Sequence, residues 1–145
     1  MSELKELAAE AKHELLTHII PFWRGMRDDK FGGYYGYLSY DLALDEKAEK
    51  GCILNSRITW FFANAYLLYK DGGISEEECE AAGFKGEDLL AEAKHGYEFL
   101  REHCIDKEYG GIFWSLNYDG TPLDTTKHTY LSLIHISEPT RPEPI

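Results

Sequence analysis

Asp28-Asp29-Lys30-Phe31-Gly32-Gly33-Tyr34-Tyr35, running on to Leu38 and Tyr40-Asp41, returns as Asp106-Lys107-Glu108-Tyr109-Gly110-Gly111-Ile112-Phe113, running on to Leu116 and Tyr118-Asp119. One gap-free offset of 78 residues (Asp28 to Asp106) superimposes the aspartates, the glycine pairs, the aromatic positions and the closing Leu, Tyr and Asp. Each copy follows a helix-like stretch, and the first also precedes one. A helix-plus-loop unit that repeats implies an array of similar units, each burying its apolar face on its neighbours. The shared loop then recurs at one end of successive helical hairpins, where a site is assembled from several units.

Working outward, residues 3–19 predict an amphipathic helix with Leu4, Leu7, Ala8, Ala11, Leu15 and Ile19 on the inward face, Ser2 as N-cap and Pro21 as its stop. Gly32-Gly33 fits positive φ or a tight backbone approach, and a short extended hairpin is expected after it. A second helix is predicted over 54–70, apolar over so much of its girth that it belongs inside a helical assembly. Ser75 and Glu78 occupy capping-box positions for a short helix over 75–82, read as an inserted excursion. Residues 87–104 predict the next long helix, with Leu89, Leu90, Ala93, Tyr97, Leu100 and Cys104 inward. Asp119-Gly120-Thr121-Pro122 signals a turn, and a further helix is expected to begin within 125–130.

Composition narrows the function. The 145 residues suit one ordinary domain, 43% of them apolar and 14% aromatic. Most aromatics read as core, and a minority as flat platforms for the C–H face of a sugar ring. The formal charge of −11, from 15 basic and 26 acidic residues, excludes a basic stripe for nucleic acid and disfavours an anionic membrane surface. Cys52, Cys79 and Cys104 form no CxxC pair and read as reduced thiols, and residues 1–16 lack an apolar signal region, so a cytoplasmic location is expected. No group of His, Cys, Asp and Glu has metal-ligand spacing, so no metal is expected.

Residues 131–142, Leu-Ser-Leu-Ile-His-Ile-Ser-Glu-Pro-Thr-Arg-Pro, match residue for residue one reading frame of a transposase-type sequencing-library adapter. The expectation is a natural segment over 1–130 followed by an artefactual tail over 131–145. His135 is therefore not promoted to a ligand or a base.

The ordered set Ile20-Pro21-Phe22-Trp23, Gly32-Gly33-Tyr34-Tyr35-Gly36, Lys50-Gly51-Cys52-Ile53-Leu54-Asn55-Ser56-Arg57-Ile58-Thr59-Trp60-Phe61, Asp106-Lys107-Glu108-Tyr109-Gly110-Gly111 and Lys127-His128-Thr129-Tyr130 resembles the N-terminal part of the N-acylglucosamine 2-epimerase superfamily, and within it the branch that acts on cellobiose. The likeness covers roughly residues 15–130, with 72–86 as the main departure. It implies an all-α fold, a partial (α/α)6 barrel amounting to roughly the first third of a ring of six helical hairpins, with short extended hairpin loops.

The activity implied by the resemblance is inversion at C2 of a reducing-end sugar without a redox cofactor, here interconversion of cellobiose and 4-O-β-D-glucosyl-D-mannose. Ring opening exposes the C1 aldehyde, a base removes the acidified C2 proton, and an acid returns one to the other face of the enediolate. The family's acid and base are histidines on later helices, so this stretch alone is expected to be inactive. By the same resemblance Arg57 faces the pocket as the cation on the O1/O2 side, and Tyr130 points its hydroxyl inward. Asn55 and Trp60 are weaker, substrate-binding candidates. Bland alternatives stand beside them: a surface or snorkelling arginine, a core tyrosine, and helix packing for Asn55 and Trp60. His128 reads as structural, and His13, His18, His95 and His103 as helix-surface residues. The partner is a disaccharide or monosaccharide, and no oligomeric state follows.

Rival readings keep the ring with another substrate or another chemistry. One is an N-acylglucosamine epimerase or an aldose–ketose isomerase. A glycoside hydrolase needs two facing carboxylates, which Asp41 and Asp119 do not supply. A non-catalytic carbohydrate-binding scaffold is the reading outside enzymology.

Overall fold

Ser2 caps the first helix by accepting the Lys5 amide, and α1 runs Glu3–Glu14. In the computed structural model, which describes residues 2–129, the chain does not stop at Pro21. A wider π-helical turn, Leu15–Ile19, leads into α2, Ile20–Arg24, with Pro21 in its first turn. Proline clashes with the carbonyl one α-turn behind it, and a π-turn opens that spacing. The expected inward face of α1 is also corrected. The helix buries no residue, with Leu4 74% and Leu7 61% exposed, and burial begins at Leu16 and Ile20. The amphipathic period is present, but no described element lies against that face.

The first repeated loop follows, then a two-residue strand, β1 (Lys50–Gly51), and the long α3 (Cys52–Lys70). The short helix α4 (Glu76–Ala81) opens with the expected capping box, Ser75 and Glu78 satisfying each other's backbone. Next, α5 (Gly86–Phe99) ends in a second π-turn, Leu100–Cys104. The second repeated loop carries β2 (Ser115–Leu116) and β3 (Pro122–Asp124). Residues 125–128 are not helical, so the helix expected from there does not begin before Thr129. The tail reading for 131–145 lies outside the described residues.

α3 and α5 form the main helix pair. They approach closely where Gly96 meets Thr59, leaving no room for a Cβ. Phe62, Ala63 and Ala65 of α3 pack with Leu89 and Ala93 of α5, and Leu16, Ile20 and Tyr34 join the same cluster. A second cluster, Cys52, Phe99, Leu100, Cys104, Ile112 and Leu116, joins the start of α3 to the second loop. Burying an aliphatic or aromatic side chain in such clusters contributes about 1.5–3 kcal/mol each.

The two loops are joined by a small antiparallel sheet of order β1-β2-β3. Lys50 pairs with Leu116 and Gly51 with Ser115, while β3 closes on β2 across a bulge. The strand that exits the first unit is thus an edge of the second, which holds the two loop ends side by side.

Candidate active site

The sequence repeat is also a repeat of structure. Isolated bridges join Arg27 to Tyr34 and Ile105 to Ile112, and both glycine pairs adopt positive φ, 90° and 67° in the first loop, 81° and 83° in the second. Asp28 Oδ1 accepts the amides of Lys30 and Phe31 at 2.9 and 3.0 Å. Asp106 Oδ1 accepts those of Glu108 and Tyr109, both at 3.0 Å. Each aspartate therefore folds its own loop by standing in for backbone acceptors.

A lysine completes each loop. Lys50 Nζ lies 2.6 Å from Asp28 Oδ2 and donates to the Gly32 carbonyl at 2.7 Å. Lys127 Nζ lies 2.8 Å from Asp106 Oδ2 and donates to the Gly110 carbonyl at 3.0 Å. Burial pushes the Asp28 carboxyl up, but the Lys50 hydrogen bond, the two amides and the Lys50 charge outweigh it and hold it below the usual range. For Asp106 the Lys127 hydrogen bond is the largest influence, and the result is again downward.

Asn55 belongs to this scaffold. Its Oδ1 accepts the Tyr34 amide at 2.9 Å and its Nδ2 donates to the Gly51 carbonyl at 3.1 Å, in a fully buried position. Asn55, expected to bind substrate, thus makes one bond at each end of its amide, to the loop and to the start of α3. His95 is likewise committed, with Nε2 2.8 Å from the Gly33 carbonyl.

Arg57 is different. It sits less than two turns from the start of α3, on the exposed side of that helix. Of the four arginines among the described residues, Arg24, Arg27 and Arg101 are ion-paired, while Arg57 has no hydrogen-bond or ion-pair partner among them. It borders a cleft of about 240 Å³ walled by Trp23, Leu54, Ile58 and Phe61. Trp60, three residues further on and so on the same face, is 49% exposed. Trp60 does not line the cleft, and Tyr130 lies outside the described residues. A larger recess, about 310 Å³, lies between the repeated loops and is lined by Phe31, Tyr35, Glu46 and Tyr118 among others, but not by Arg57.

The structure brings Arg57 and Trp60 onto one open face of α3 and places Asn55 behind it. Sequence reasoning missed two features. One is the aspartate–lysine pair, although Lys50 and Lys127 stand 77 residues apart, almost the offset of the aspartates. The other is Glu92, buried on α5, which receives Arg24 Nε at 3.1 Å, Arg27 Nη1 at 3.3 Å and the Tyr34 hydroxyl at 2.9 Å. Among the described residues no group of three or more His, Cys, Asp or Glu could hold a metal ion, and no helix is long and apolar enough to cross a membrane.

Known proteins resemble this arrangement. The chain is 50% identical over 124 residues to cellobiose 2-epimerase of Ruminococcus albus, a match spanning 86% of this chain and 28% of that protein. The crystal structure of a sugar epimerase from a ruminal bacterium superimposes with a TM-score of 0.77 at 48% identity, over 90% of this chain and 30% of the other. Cellobiose 2-epimerase from Bacillus thermoamylovorans B4167 gives a TM-score of 0.78 at 37% identity over the same share. The chain thus spans under a third of the length of these relatives. The profile of the N-acylglucosamine 2-epimerase (GlcNAc 2-epimerase) family matches residues 33–135, and the chain belongs to that family.

Proposed function

We propose that residues 1–130 are the N-terminal third of an (α/α)6 ring, a sugar 2-epimerase that interconverts cellobiose and 4-O-β-D-glucosyl-D-mannose, and that residues 131–145 are adapter-derived. The observation that carries the reading is Arg57: a cation without a partner among the described residues, held near the start of a half-buried helix beside an apolar-walled cleft. A guanidinium so placed has its donors free for a substrate oxygen.

The chemistry sets what that cation does. Removing the C2 proton of the open-chain aldose moves negative charge onto the C1 oxygen, forming an enediolate. A fixed donor aimed at that oxygen stabilises the transition state more than the ground state, which is the requirement for acceleration. The planar fork of Arg57 suits two vicinal oxygens, O1 and O2. Trp60 offers an exposed ring face on the same side of α3 for the C–H surface of a pyranose. By the family resemblance, Tyr130 is the candidate for a further hydroxyl. The proton-transferring histidines come from later helices of the ring, as does the wall that excludes water.

The test is to complete the reading frame beyond Tyr130 and incubate that enzyme with cellobiose in heavy water. Deuterium at C2 of the reducing sugar together with glucosyl-mannose supports the reading. Free glucose would indicate a hydrolase, a keto-disaccharide as sole product an isomerase, and bound but unaltered sugar a scaffold. Each of those three outcomes contradicts it.

A further inference from the structure

Two aspartate–lysine clamps of the same design occupy very different surroundings. The side chains of Lys50 and Asp28 are 0% and 2% exposed, those of Lys127 and Asp106 36% and 12%. Yet the bonds match in kind: one carboxylate oxygen on two loop amides, the other on the lysine, and the second lysine bond on the carbonyl of the first glycine. Even the ring beneath is equivalent. Lys50 lies 5.8 Å from the Tyr35 ring and Lys127 5.3 Å from that of Phe113, residues 78 apart. A buried ion pair is a poor way to gain stability, since two well-packed apolar residues do as well or better. What the clamp does provide is a fixed register between loop and lysine.

In the first unit that register bears on the site. Lys50 lies two residues before α3, with its backbone in β1. Asn55 ties the Tyr34 amide to the Gly51 carbonyl, and the Cys52 amide bonds to the Trp114 carbonyl at 3.1 Å. Loop, strand and first turn of α3 therefore form one bonded block, and Arg57 projects half a turn beyond Asn55. We infer that Lys50, through its bonds to Asp28 and Gly32, is a positioning residue that sets where the Arg57 guanidinium stands. This rests on the reading of Arg57 given above.

The test removes the clamp without leaving a buried charge. In the completed enzyme, the double variant Asp28→Asn with Lys50→Met keeps the acceptor for the Lys30 and Phe31 amides and deletes both charges. It is compared in the wild-type and Arg57→Ala backgrounds. The expected result is a fall in kcat of roughly ten- to a hundredfold with KM little changed, the scale of a small misplacement, and little or no further fall in the Arg57→Ala background. Unchanged kcat, or the same loss in both backgrounds, overturns the inference. If the unmutated enzyme makes no epimer, the reading of the site fails separately. The clamp is then judged by amide hydrogen exchange over residues 52–57. Faster exchange at matched global stability upholds the anchoring of the helix start, and unchanged exchange overturns it.

Discussion

The Tyr34 hydroxyl donates to the Glu92 carboxylate at 2.9 Å, linking the residue after the first Gly-Gly pair to the middle of α5. It bonds the Glu92 carbonyl at the same distance. Arg24 and Arg27 close on that carboxylate from the end of α2 and the residues just after it. Burial, together with the charge and hydrogen bond of Glu92, drives the Tyr34 pKa far above its ordinary value, so the phenol stays a donor at any working pH. Glu92→Ala removes the shared acceptor and leaves two half-buried guanidiniums and a buried hydroxyl without it. The expected destabilisation is about 3 kcal/mol, read from urea unfolding. Glu92→Gln should recover part of it, because an amide oxygen still accepts from Tyr34.

Acid should weaken the first loop through Asp28. Its folded-state pKa lies below the ordinary Asp value, so its contribution is fully present above about pH 4 and is lost as pH falls through the lower folded value. Asp106, Asp119 and Asp124 are shifted the same way, so the comparison must isolate one group. Between pH 5 and pH 2 the stability of Asp28→Asn should fall less steeply than that of the wild type. Parallel curves would mean that Asp28 does not contribute to the acid sensitivity.

The two loops offer a matched pair of glycine tests. Gly33 has φ of 67°, and a Cβ there would stand 2.7 Å from a Phe99 ring carbon and 2.8 Å from Asn55 Oδ1. Gly110 has φ of 81° but open space around it. Gly110→Ala should cost only the left-handed backbone penalty, about 1–2 kcal/mol. Gly33→Ala should cost clearly more, because a ring or the Asn55 amide must move as well. Equal melting-temperature losses would show that the close approach at Gly33 is relieved without strain.

The bare face of α1 predicts behaviour in solution. Leu4 and Leu7 are exposed with no described element against them, so Leu4→Lys with Leu7→Lys should leave the unfolding free energy of the chain within about 0.5 kcal/mol of its starting value. The same change should reduce association seen by light scattering. A large loss of stability would show that this face is packed.

Much of the architecture was legible because helical periodicity and capping are local. The capping box at Ser75 and Glu78, the extents of α3 and α5 and the duplicated Gly-Gly loop follow from short-range rules. What misled was non-local. The inward face assigned to α1 assumed a partner, and periodicity reports amphipathicity without saying which neighbour covers it. Pro21 predicts a stop because a π-turn leaves no clear mark in sequence. At the site, helix phase alone could not separate Asn55, turned inward onto the loop, from Arg57 and Trp60, turned outward. The motif named all three together, and only packing divides them. Lys50 and Glu92 leave no local signal because lysine and glutamate are rarely buried unless paired, and their partners lie 18 or more residues away in the chain.

If Arg57 is the cation that stabilises the enediolate, turnover of its variants must show it. In the completed enzyme, kcat for cellobiose epimerisation is measured for Arg57→Ala and Arg57→Lys beside the wild type, with melting temperatures recorded for all three. Arg57→Ala should lose roughly two to three powers of ten in kcat, the usual cost of one oxyanion-stabilising donor. Arg57→Lys should recover little, because a point charge does not replace a planar fork. The melting temperature should hardly move, since Arg57 has no partner to lose among the described residues. Near-normal turnover of Arg57→Ala with a lowered melting temperature would contradict that role and make Arg57 a structural residue.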